Sequence, residues 1–67
     1  MHDFQIADAV RVMHTDPMRE RGIAGIRGIV IEVLGADRGG IPKLMIKSRD
    51  GKYHQVTAAA VQLRQGR

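Results

Sequence analysis

The chain contains no cysteine and no tryptophan, and Phe4 and Tyr53 are its only aromatic side chains. Without cysteine there is no disulfide framework and no thiolate-ligated zinc or iron–sulfur centre. Two aromatics cannot build a platform on which successive bases of a single strand stack. Long apolar runs are missing too. None approaches the ~18–20 residues that a membrane-crossing helix needs. The chain opens on His2-Asp3-Phe4 rather than on a basic and then apolar leader. These absences lead to the expectation of a soluble cytoplasmic protein that makes no use of a membrane.

Chemistry-bearing residues are equally sparse. Ser48 is the only serine, and it falls in a hairpin signal, where a Ser-His-Asp relay has no use for it. His2, His14 and His54 show no His-x-x-x-His ligand spacing and have no soft ligand beside them, so no metal site is expected. The carboxylates Asp3, Asp8, Asp16, Glu20, Glu32, Asp37 and Asp50 are scattered. Asp50 belongs to a turn, Asp16 precedes a proline and Asp37 lies in a loop. Glu32 stands inside an apolar strand, where an outward or arginine-paired position outweighs a proton-transfer role. Gly22, Gly25 and Gly28 lack the strand-then-helix setting and the Gly-Lys-Ser/Thr of a phosphate loop. The reading is therefore of a protein that is not an enzyme, with no catalytic residues, no cofactor and no small-molecule substrate.

What is present is a sequence of short apolar runs with turn signals between them. At 67 residues the chain is one domain, 1–67, with ends at 1–5 and 64–67 expected to fray. A core this small supplies roughly 3–5 kcal/mol of net stability, so sheet closure or a partner must help. Val10–Val12, Gly28–Val33, Leu44–Ile46, Tyr53–Val56 and Val61–Leu63 read as five strands. A long loop over Thr15–Arg27 follows the first, polar over His14–Gly22 and with Asp16-Pro17 as a turn start. The glycines at 22, 25 and 28 answer a need for positive φ or close backbone approach. Gly35–Pro42 forms the next loop, and Ser48-Arg49-Asp50-Gly51 is a tight hairpin with glycine at the positive-φ position. Gln55–Leu63 has the composition of a short helix, yet isolated helices of that length are marginal. A single 3₁₀ turn over the alanines, feeding a last strand, is preferred.

The fold expectation is thus all-β: a five-stranded SH3-like small barrel with one 3₁₀ turn before the last strand. Its expected core is Val10, Val12, Ile29, Ile31, Leu44, Ile46, Val56, Val61 and Leu63. Ile29, Ile31 and Val33 are assigned to one face of the second strand and Val30, Glu32 and Leu34 to the other.

Eleven Lys and Arg against seven Asp and Glu give a net charge of +4. Such an excess favours an anionic partner, either nucleic acid or an acidic protein surface. The plain alternative is a solvated coat. In small barrels recognition falls on loops positioned by the strands. The candidate partner-binding residues are therefore Arg19, Arg21 and Arg27 on the first loop, and Lys47, Arg49 and Lys52 around the hairpin. They form one basic stripe if both regions share a side.

The residues Phe4, Val10-Arg11-Val12, Pro17, Arg21-Gly22, Gly25 and Gly28-Ile29-Val30, then Gly40-Ile41-Pro42 and Gly51-Lys52-Tyr53-His54, together resemble the SH3-like electron-transport accessory proteins. That group includes the ferredoxin–thioredoxin reductase variable chain, the photosystem I subunit PsaE and the C-terminal part of the nitrile hydratase β chain. The resemblance implies a non-catalytic accessory or adaptor that docks on an acidic protein partner, such as a redox or metalloenzyme complex. The chain lacks the middle insertion and the return-strand aromatics of the reductase variable chain. Gly25-Ile26-Arg27-Gly28-Ile29-Val30-Ile31-Glu32-Val33 is also similar to the KOW motif of ribosomal and transcription-elongation proteins, which implies an RNA-binding or ribosome-associated module as the alternative. The Gly51-Lys52-Tyr53-His54 return strand resembles PRC-barrel domains. All three imply a small barrel without catalysis and differ in the partner.

Overall fold

The computed structural model describes residues 4–36 and 38–64. The outer parts of the two ends expected to fray, with His2 and Asp3, and the loop residue Asp37 lie outside the described residues. The described chain runs β1 (Ala9–Val12), α1 (Asp16–Glu20), β2 (Arg27–Ala36), β3 (Pro42–Ser48), β4 (Tyr53–Thr57), a 3₁₀ turn (Ala58–Ala60) and β5 (Val61–Leu63). All five expected strands are present, the single 3₁₀ turn precedes the last of them, and the fold is all-β with a barrel-like sheet.

Every pairing is antiparallel, in the order β4-β3-β2-β1-β5. That order has a geometric consequence. The outermost strands β4 and β5 are joined only by Ala58–Ala60. A flat sheet would hold them roughly 19 Å apart at about 4.8 Å per strand, whereas four extended residues span at most ~14 Å and a 3₁₀ turn much less. The sheet must curl until its two edges meet across the turn. Thr57 caps that turn through its Oγ1, which accepts from the Ala59 N–H at 3.4 Å, and the Ala60 carbonyl accepts from the Met13 N–H at 2.8 Å. Ala58 and Ala60 are buried; their small side chains let the crossing sit close over the core.

Inside the curl lie Val10, Val12, Leu44, Ile46, Val56 and Val61, all as expected, together with Met18, Ile23, Val30, Ala58 and Ala60. Three core assignments are corrected. Leu63 is half-buried at the margin of the cluster. Ile29 and Ile31 are 44% and 37% exposed while Val30 is fully buried, so β2 buries the face opposite to the one assigned. The reason is register. Gly28 pairs with Val10 on β1 and with Ser48 on β3, which makes the inner row Leu63–Val10–Gly28–Ser48 and sends Val30 inward beside Ile46. The pairing then slips between Val30↔Ile46 and Glu32↔Met45. Ile31 is the extra residue of this bulge and is left on the outside.

The first loop also needs correction, because it contains the short helix α1. Thr15 caps it, with Oγ1 accepting from the Met18 N–H at 3.4 Å, and Pro17 sits in its first turn. The Asp-Pro signal read as a turn start is equally a helix start. Buried Met18 and Ile23 then plug the loop into the core. Arg27, assigned to that loop, is the first residue of β2. The following loop is shorter than read, since β2 runs to Ala36 and β3 begins at Pro42; a strand's first position tolerates proline. His54 is half-buried on the inner side of β4, and its Nε2 is buried without a hydrogen-bond partner among the described residues. An unmet polar group of this kind costs about 1–3 kcal/mol.

Gly28 and Gly35 separate two roles for glycine within one strand. A Cβ built on Gly28 falls 2.8 Å from the Lys47 carbonyl oxygen, while one on Gly35 meets nothing within 4 Å. Gly28→Ala is therefore expected to destabilise by about 1–3 kcal/mol through overpacking against backbone, and Gly35→Ala to change stability by less than ~0.5 kcal/mol. Urea unfolding of both variants checks this; equal midpoints would contradict the close approach.

Candidate functional site

Antiparallel partners share a face, so the register fixes what the outside of the sheet presents. One outer row is Ala9–Ile29–Lys47–Tyr53, crossing β1 to β4. A second, towards β5, is Gln62–Arg11–Arg27. On the other side of the first row, Glu32, Met45 and Gln55 stand in line, with Ile31 beside Glu32 at the bulge. Ile29 and Ile31 expose large side chains there, and Tyr53 is 60% exposed. The Lys47 Nζ lies 5.8 Å from the centroid of the Tyr53 ring, within the range of a cation–π contact. The result is an apolar centre rimmed by cations, with Glu32 as the single carboxylate in these rows.

The rim is densest at Arg11 and Arg27. The two stand directly opposite each other on β1 and β2. With Gln62, Leu63 and Arg64 they line a depression of about 280 Å³. Arg64, placed in the tail by sequence, continues the β5 ladder: its N–H donates to the Ala9 carbonyl at 2.9 Å. A second depression of about 390 Å³ is lined by Gly25, Ile26, Arg27, Ser48, Arg49 and Asp50. Arg27 belongs to both, so the arginines run as a band Arg64–Arg11–Arg27–Arg49 around this end of the barrel.

The hairpin after β3 holds Arg49 and Lys52 in place. Gly51 has φ of +86° and its N–H donates to the Ser48 carbonyl at 3.0 Å. The Ser48 N–H donates to the Lys52 carbonyl at 2.8 Å. Ser48 is buried, and its hydroxyl donates to the Asp50 carboxylate, which also accepts from the Lys52 N–H at 3.2 Å. These contacts, the Ser48 hydroxyl first, hold the Asp50 carboxyl below its ordinary value of 3.8. The carboxylate thus serves the turn, bonded to the Ser48 hydroxyl and the Lys52 N–H.

Of the six residues singled out by sequence, Arg27 and Arg49 share the second depression, and Lys47 stands in the outer row beside Tyr53. Lys52 closes the hairpin. Arg19 and Arg21 sit on α1 and its C-terminal cap, and line neither depression. Arg19 is engaged by Asp16 at 3.1 Å, the one ion pair among the described residues. Arg11 and Arg64 are the residues sequence reasoning passed over. The outward position of Arg11 was legible from strand alternation, but its register against Arg27 was not.

Because the folded Asp50 carboxyl titrates below its unfolded counterpart, the unfolded chain binds more protons in that window. The stability Asp50 contributes is complete above 3.8 and is lost as pH falls through the lower folded value. Asp50→Asn is expected to flatten this part of the acid limb. Denaturant midpoints compared between about pH 5 and about pH 2 check it, and parallel curves for the two proteins would contradict the hairpin assignment.

Compared with models of protein families, with curated proteins and with solved structures, the chain matches none of them.

Proposed function

We propose that this chain is a non-catalytic docking module of the cytoplasm, an accessory or adaptor subunit whose outer sheet face binds an acidic protein surface within a larger complex. The observation that carries this reading is the placement of Ile29, Ile31 and Tyr53 outside the core, on the same face as Arg11, Arg27 and Lys47. Leaving large apolar side chains in water forgoes roughly 25 cal/mol for each Å² they could bury. A partner recovers that area. Apolar centres with polar, cation-bearing rims are the anatomy of protein interfaces. A nucleic-acid backbone would use the arginines and leave the isoleucines idle, which favours protein over the KOW-like alternative.

Electrostatic attraction of this kind raises association rates and weakens with salt. Affinity capture from native lysate is expected to return a defined protein partner that is insensitive to nuclease and released by salt. Capture should fall at least about ten-fold in Arg27→Glu/Tyr53→Ala, since interface anchors of these types carry a disproportionate share of binding. It should persist in Arg19→Ala/Arg21→Ala. Loss in the second variant but not the first moves the site to α1. An association abolished by nuclease replaces this reading with the nucleic-acid one.

A further inference from the structure

We propose that Arg11, Arg27 and Arg64 form an oxyanion subsite within the docking face, and that it receives a phosphate monoester carried by the acidic partner. The proposal deepens the docking reading and rests on it.

The arginines are set where the fold gains nothing from them. Arg11 faces Arg27 across β1 and β2, and like charges directly opposite each other destabilise an antiparallel pair. A guanidinium cannot shed its proton to relieve the repulsion. Arg64 is brought to the same depression by its ladder bond to Ala9. None of the three is held in an ion pair by a carboxylate of the described residues. Asp8 accepts from the Gln5 N–H, Asp16 holds Arg19, and Asp50 is spent on its own turn. Glu32 lies farther along β2, in the row of Met45 and Gln55. Three cations therefore line one depression of about 280 Å³, and none of them forms an ion pair among the described residues.

The number and type of donors select the ligand. Guanidinium forks match oxygens in pairs, and a carboxylate offers two oxygens and one charge. A phosphate monoester offers three terminal oxygens and a charge of about −1.5 to −2 at neutral pH. Three forks with three oxygens is the better match in both count and charge. Gln62, opposite Arg11, adds an uncharged donor to the same depression. A nucleic-acid diester has one charge and two free oxygens at each phosphate, and is read along a track rather than in one corner.

The test follows the side-chain Nε–Hε resonances of the full chain. Inorganic phosphate, phenyl phosphate and acetate are titrated at constant ionic strength. Phosphate and phenyl phosphate should shift Arg11, Arg27 and Arg64 saturably and leave Arg19 in place. Affinity should rise with pH through the second phosphate ionisation near about 6. Arg27→Gln and Arg64→Gln should each weaken phosphate about ten-fold or more, the worth of one charge-assisted contact, and Arg19→Gln should not. A phosphoserine peptide with flanking acids should bind at least ten times tighter than its unphosphorylated form, as the same contact arithmetic requires. Unsaturable shifts spread evenly over all arginines, or acetate binding as tightly as phosphate, would overturn the subsite. So would an oligonucleotide without a terminal phosphate that displaces phosphate from it. The titration needs no partner, so its failure leaves the docking face standing. Intact phosphate binding with no protein captured would sink the docking reading instead.

Discussion

At Gly28 the backbones of β2 and β3 approach until a Cβ would lie 2.8 Å from the Lys47 carbonyl oxygen, and only the absent side chain permits it. The same residue pairs with Val10 on its other side. It is a buried position on the inner row that no larger residue can occupy without moving backbone. A strand slipped by one residue would place Ile29 at that crowded spot and turn every side chain of β2 over. The steric demand at one glycine therefore sets the register of the longest strand, and with it the contents of both faces of the sheet.

The inner face receives Val30, which completes a core of small and medium aliphatic side chains around Leu44 and Ile46. The outer face receives the costs. Ile29 is held in water between Ala9 and Lys47, and Arg27 is set against Arg11. The bulge then leaves Ile31 outside as well. These costs lie side by side on one face, so the acidic and partly apolar partner proposed above would offset them together. A chain with a core as small as this one has little stability in reserve, and binding on this face would add to it by mass action.

The architecture was largely legible in the sequence. Five apolar runs, the Asp50-Gly51 hairpin and the alanine turn each carry a local signal, and local signals of turn chemistry survive folding unchanged. The face of β2 was not legible, because Gly28–Leu34 is apolar at both parities and alternation decides nothing when both sides are greasy. What decides it is a contact with Lys47, nineteen residues farther along the chain. The helix α1 was hidden by its length: at five residues it has too little periodicity to see, and its cap and proline read equally well as a turn. Among the residues of the proposed site, Lys47, Arg49 and Lys52 were singled out because they flank a recognisable hairpin. Arg11 and Arg64 escaped because their meaning lies in which strands become neighbours across the sheet.

β2 turns Val30 inward and Ile29 and Ile31 outward, and the docking proposal depends on that orientation. Methyl NMR in the presence of a soluble, uncharged gadolinium chelate reads this directly. Strong relaxation enhancement is expected at the δ1 methyls of Ile29 and Ile31, with the methyls of Val30 and Ile46 protected. Protection of Ile29 and Ile31 with enhancement at Val30 would contradict it, and would remove the docking face along with the register.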